Sequence, residues 1–172
     1  VWLDTLFTTS PELAGENASG DITGLIGQYA HGNEPSHHIP YLYKYTDRPW
    51  RAEEVLDTTL YHFYKPEPAG IIGNEDCGQM SAWYVLNAIG IYQLAPGNTQ
   101  FIVGRPVVDH AKIKVDDGWF EIDVINNSKE NKYVQEVKLD GEVLDNQRFD
   151  YADIRAGKKL EISMGEQALM VD

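Results

Sequence analysis

Two short stretches carry residue types that can do chemistry. GNEDCGQMSAWY, Gly73 to Tyr84, packs Asn74, Glu75 and Asp76 into a turn between glycines and then runs into a helix. Small and polar residues let that backbone bend tightly and leave the carboxylates projecting from a loop. From Gln79 onward, Met80, Trp83, Tyr84, Asn87 and Ala88 recur at three- and four-residue spacing, which puts large groups on one helix face. Acids at such a place have two readings. They can act as proton acceptors, or they can cap free N–H groups and meet the positive end of the helix dipole.

The second stretch is HGNEPSHHIPYLY, His31 to Tyr43. A glycine-containing loop places Glu34 beside Asn33, just ahead of a helix carrying His37 and His38. Oxygen groups of this kind suit calcium, which takes six to eight carboxylate, carbonyl and water oxygens in flexible geometry. A lone Glu after Asn is also commonly a solvated loop acid. His31, His37 and His38 together invite a zinc reading. Adjacent histidines on a helix point about a third of a turn apart, which disfavours one shared metal.

Taken together the two loops resemble the C-terminal part of family 92 glycoside hydrolases, the calcium-dependent inverting alpha-mannosidases. The intervening PYLYKY and RPW and the tail segments FIVGRPVVDHAKI and VINNSKENKYVQEVKLDG fit as well, so the likeness runs from about Tyr29 to Met164. The resemblance implies the last helices of an (α/α)6 catalytic barrel over residues 1–90 and an antiparallel β region over 91–172, an α+β chain. It implies an exo-acting enzyme hydrolysing alpha-mannosides, alpha-1,2-linked and of N-glycan or mannan type. Asp76 matches the general base, with Asn74 and Glu75 beside it to hold the water or tune its acidity. Glu34, Asn33 and Gly32 match the calcium (Ca2+) motif, and one of His37 and His38 contacts the sugar while the other packs. The family's general acid lies in a motif upstream. Glu53, Glu54 and Glu67 sit in no matching motif, so none inherits that role.

The opening VWLDTLF reads as a helix already under way, which under the resemblance makes the chain a C-terminal piece of a larger exported enzyme, secreted, periplasmic or cell-surface in a bacterium. Asn17-Ala18-Ser19 and Asn126-Asn127-Ser128 match the glycosylation pattern, which would carry no meaning there. Such a piece is expected to be inactive alone, for want of the acid. It is also expected to self-associate through apolar stripes left open by the missing helices, namely Val55, Leu56, Leu60, Phe63, Trp83 and Tyr84. The competing reading is a non-catalytic module that binds carbohydrate or a partner chain.

Composition sets the outer bounds. At 172 residues, one domain or a domain with an appendage is expected. The net charge of -13 argues against nucleic acid and anionic membrane surfaces as partners. A single cysteine, Cys77, excludes an internal disulfide and a multi-cysteine zinc site. No apolar run reaches bilayer length. The elements that must position the two loops are read from pattern. Helices are predicted from Pro35 to about Tyr45, from Pro49 to about Tyr64, and from Gln79 to Ile89 with Gly90 closing the last. Alternation then predicts strands at 112–115, 119–125, 133–139 and 159–164, turning at Asp117-Gly118 and Asp140-Gly141.

Overall fold

The computed structural model describes residues 2–12, 19, 22–116 and 118–170. Asn17 and Ala18 of the first glycosylation pattern, and Asp117 of the first hairpin turn, lie outside them. Helix α1 (Trp2–Thr8) is followed by a two-stranded antiparallel hairpin, β1 (Leu25–Ile26) with β2 (Tyr29–Ala30).

The next stretch departs from the predicted single helix. It forms two 3-10 segments, Glu34–Ser36 and Ile39–Tyr45, with tight bonds such as the His37 N–H to the Glu34 carbonyl and the Thr46 N–H to the Tyr43 carbonyl, both 3.0 Å. Pro35 and Pro40 account for this. Neither has an N–H to give, and a proline ring collides with the carbonyl four residues back in an α-helix, so short i to i+3 turns take over.

Helices α2 (Arg51–His62) and α3 (Gln79–Ala88) follow close to their expected spans. Gly90 ends α3 in the left-handed region at φ +86, and a side chain there would meet Pro106 at 2.9 Å, so glycine is needed twice over. The strand region holds β3 (Ile91–Gln93), β4 (Gln100–Val103), β5 (His110–Val115), β6 (Gly118–Ile125), β7 (Tyr133–Leu139), β8 (Glu142–Val143) and β9 (Arg148–Asp150). Helix α4 (Tyr151–Arg155), capped by Asp150, and β10 (Lys159–Gly165) complete it.

Three strands form one sheet in the order β3-β4-β9 and five form another in the order β5-β6-β10-β7-β8. The expected purely antiparallel arrangement needs correction. β10 inserts between β6 and β7, antiparallel to β7 but parallel to β6. Alternation told which face Leu160, Ile162 and Met164 bury, but not which strands would flank them.

The sheet core gathers Phe120, Ile122, Leu160 and Ile162, none of them measurably exposed, with Ile91 and Val103. Each such side chain contributes about 1.5–3 kcal/mol. A second cluster joins the halves of the chain, because Ile102 of β4 packs with Tyr41, Leu56, Leu60 and Trp83. This overturns the expectation of open apolar stripes. Val55, Leu56, Leu60 and Trp83 are buried and Phe63 and Tyr84 are half-buried, covered by the 3-10 segment and β4 of the same chain.

Two buried cations fasten the halves further. Arg105 donates to Asp57 of α2 at 3.1 Å, to Asn127 Oδ1 and the Ser128 carbonyl at 2.8 Å each, and to the Pro106 carbonyl. Lys44 pairs with Glu53 and donates to Gln147 Oε1 at 2.7 Å. These contacts hold the helices, and with them both loops, against the sheets.

Candidate active site

The β1–β2 hairpin aims the first loop. The His31 N–H reaches the Gly24 carbonyl at 2.9 Å and the Gly32 N–H the Thr23 carbonyl at 3.1 Å, so Gly32, Asn33 and Glu34 leave from the end of an extended ladder. The second loop arrives against it backbone to backbone. A Cβ at Gly73 would lie 2.9 Å from Thr23 Oγ1 and 3.3 Å from the Gly32 Cα, and one at Gly32 would lie 2.2 Å from the same hydroxyl. Glycine at both positions is therefore a condition for the loops to touch.

Their meeting brings the carboxyl groups of Glu34 and Asp76 to each other. Two neighbouring carboxyl groups resist being charged together, so their titrations separate. The Asp76 carboxyl alongside, with a bond from the Glu34 backbone, holds Glu34 below the usual carboxylate range. The Glu34 carboxyl and its charge push Asp76 up. A raised carboxylate is a better proton acceptor near neutral pH.

The backbone around Asp76 is unusual. Asp76, Cys77 and Gly78 are all left-handed, at φ +47, +56 and +92, a conformation costly for the first two. The Gln79 N–H bonds to the Asp76 carbonyl at 3.1 Å and the Met80 N–H to the Glu75 carbonyl at 3.3 Å, holding the turn against the start of α3. Glu75 faces the helix, where its carboxylate accepts from the Ser81 N–H at 3.0 Å and the Ser81 hydroxyl at 2.8 Å. The adjacent acids therefore divide, with Glu75 capping α3 and Asp76 meeting Glu34. Asn74 is exposed beside them.

The histidines divide in the same way. His37 is buried and donates from Nε2 to the His31 carbonyl at 3.0 Å, whereas His38 is exposed. Of the pair expected to contact sugar, only His38 is open to it. His31, fully buried, lies between two tyrosine hydroxyls, with Nδ1 2.9 Å from Tyr29 and Nε2 2.8 Å from Tyr64. Tyr64 donates on to the Met80 carbonyl at 3.3 Å, so it accepts from His31, whose proton sits on Nε2. The ring also stacks on His37 at 4.7 Å and meets the edge of Trp83 at 4.4 Å. This bracket ties the first loop to α2 and α3. Tyr29, Tyr64 and Ser81 gave no signal in the sequence, because each is an ordinary residue until the fold brings it to His31 or Glu75.

Burial, with His37 alongside, pushes His31 down to about 3. An unfolded imidazole titrates near 6.5, so unfolding takes up a proton between those values. The contribution to stability is full above about pH 6.5 and is lost as pH falls toward 3, on the order of 5 kcal/mol in all. The difference in urea midpoint between the protein and its His31→Gln variant should therefore shrink as pH drops from 7 to 4. A difference independent of pH would contradict the neutral buried imidazole.

Among the described residues no group of three or more His, Cys, Asp or Glu could hold a metal. The first loop nonetheless offers oxygens: the Glu34 carboxylate, the exposed Asn33 amide, and the Gly32 carbonyl facing Gly73. Glu34 Oε1 is buried without a hydrogen-bond partner, which fits an acceptor awaiting a cation. All-oxygen donors suit calcium rather than zinc.

Comparison with known proteins places the chain as a whole. Residues 2–166 match the model of the glycosyl hydrolase family 92 catalytic domain. The structure of a family 92 alpha-mannosidase from Bacteroides thetaiotaomicron in complex with mannoimidazole superposes with a TM-score of 0.88 at 39% identity, over 97% of this chain and 22% of that one. A family 92 inverting mannosidase from the same bacterium gives a TM-score of 0.79 at 27% identity, over 96% and 24%. A secreted glycosidase from Arthroderma benhamiae, itself uncharacterized, is 27% identical over 140 residues, 79% of this chain and 18% of its own. The chain thus spans about a fifth of the length of the relatives it matches. No described helix is long and apolar enough to cross a membrane. Family 92 members are glycoside hydrolases, alpha-mannosidases among them, and this chain belongs to that family.

Proposed function

We propose that the protein containing this chain is an exo-acting, calcium-assisted alpha-mannosidase that hydrolyses alpha-mannosides, alpha-1,2-linked and of N-glycan or mannan type, with inversion. The observation that carries the reading is the contact between Glu34 and Asp76, delivered by two separate loops. In this reading residues 1–90 are the last part of an (α/α)6 barrel and residues 91–172 a β region backing it. The secreted relative supports an exported protein. Membership of a hydrolase family disfavours a module that only binds.

Inversion takes one step. Asp76 accepts a proton from a water as the water oxygen bonds to the anomeric carbon, and the bond to the leaving oxygen breaks on the opposite face. A carboxylic acid from outside this chain protonates that leaving oxygen. Asn74 holds the water and His38 contacts the sugar. Glu75, expected beside the water, acts instead by fixing the loop through Ser81. Glu34, Asn33 and Gly32 would hold calcium, which would supply positive charge to sugar hydroxyls and favour ring distortion.

Glu34→Gln in the full-length enzyme should weaken calcium affinity and lower activity together, because one anionic oxygen is lost while the shape is kept. Excess calcium should restore part of the rate. Mannose release from an alpha-linked disaccharide that is unchanged by chelation would refute the calcium assignment.

A further inference from the structure

Among the described residues, five buried side-chain atoms have no hydrogen-bond partner: Thr23 Oγ1, Glu34 Oε1, His37 Nδ1, Glu53 Oε2 and Arg148 Nε. The first three belong to the hairpin and loop that carry Glu34. A buried polar atom left alone costs about 1–3 kcal/mol, and in native proteins it is commonly completed by a water or an ion. Each of these three can offer a lone pair. Two are oxygens, which calcium takes; the third is an imidazole nitrogen, which calcium does not favour.

Thr23 stands out because nothing in the sequence marks it. Its main-chain carbonyl is already used by the Gly32 N–H at 3.1 Å. Its hydroxyl sits in the seam between the loops, close enough to Gly32 and Gly73 that a Cβ on either would collide with it. The bonds from the Gly32 N–H to the Thr23 carbonyl and from the His31 N–H to the Gly24 carbonyl hold this end of the hairpin and set the position of the hydroxyl. Glu34, Asn33 and Gly32 together offer about four oxygens, fewer than the six to eight a calcium ion takes. The missing side chains of Gly32 and Gly73 let the Thr23 hydroxyl lie directly against the backbone of Gly32, whose carbonyl is one of those oxygens.

We propose that Thr23 Oγ1 is a further oxygen donor to the divalent cation held by Glu34. The proposal rests on the calcium reading above, and its test separates the two. Thr23→Ser and Thr23→Ala both delete the methyl group, and only the second deletes the oxygen. Thr23→Val keeps the shape without the oxygen and serves where alanine loosens the fold. The measurement is calcium titration by calorimetry on chelator-stripped full-length enzyme, with the melting temperature read with and without calcium. The serine variant should bind calcium as the wild type does. The alanine and valine variants should bind about tenfold to a hundredfold more weakly and gain less melting temperature from added calcium. Equal calcium affinity in the serine and alanine variants, with wild-type binding intact and Glu34→Gln impaired, overturns the role of Thr23 alone. A wild-type enzyme that hydrolyses mannosides and takes up no calcium overturns the calcium reading and this inference with it.

Discussion

Asp76→Asn in the full-length enzyme is expected to lower kcat about a hundredfold to ten-thousandfold, the usual cost of removing a general base. An amide cannot take the water's proton at any working pH, yet it fills nearly the same volume. The fold should survive for two reasons visible in the loop. Asn tolerates the left-handed conformation found at residue 76 at least as well as Asp does. Its amide can also donate to Glu34, preserving the contact between the loops. Steady-state hydrolysis of an aryl alpha-mannoside, with a melting curve as control, checks both halves of this expectation. A near-native rate would remove Asp76 from the mechanism.

Arg105→Met is expected to destabilise the protein by about 3–5 kcal/mol, the cost of breaking a buried ion pair from one side. Arg105 is fully buried and its fork serves Asp57, Asn127, Ser128 and Pro106 together. Methionine would fill much of the space and leave all four acceptors unserved. Lysine should rescue little, because a single ammonium cannot reproduce the planar fork. Urea unfolding of the three proteins measures the effect, and a loss under 1 kcal/mol would show that water replaces the guanidinium.

Much of the frame could be read from the chain because local chemistry punctuates it. Pro49 before α2, Gly90 after α3 and the alternating runs of β5, β6, β7 and β10 mark their elements by rules that act within a few residues. What the pattern missed depends on distant parts. The 3-10 segments follow from Pro40 lying beyond the first turn that one helix from Pro35 would have allowed it. β3, β4 and β9 are too short to show a period. The parallel pairing of β10 with β6, and the covering of Leu56 and Trp83 by Tyr41 and Ile102, are tertiary facts.

The site divides likewise. Spacing alone left Asp76 between a cap and a base, and Glu34 between a ligand and a solvated acid; placing them together came from the family resemblance. The structure adds the approach of their carboxyl groups, gives the capping role to Glu75, and singles out His38 as the open histidine. Thr23 and Arg105 were invisible, since a lone threonine in a loop and a lone arginine in a strand region read as solvated residues.

The central claim is a single displacement at the anomeric carbon by a water that Asp76 deprotonates. Proton NMR of the first minutes of hydrolysis of an alpha-mannoside by the full-length enzyme tests it most directly. The account predicts that beta-mannose appears first, with the alpha anomer growing in only as the free sugar equilibrates. Alpha-mannose as the first product would mean a covalent intermediate and a nucleophile, and would contradict the role given to Asp76.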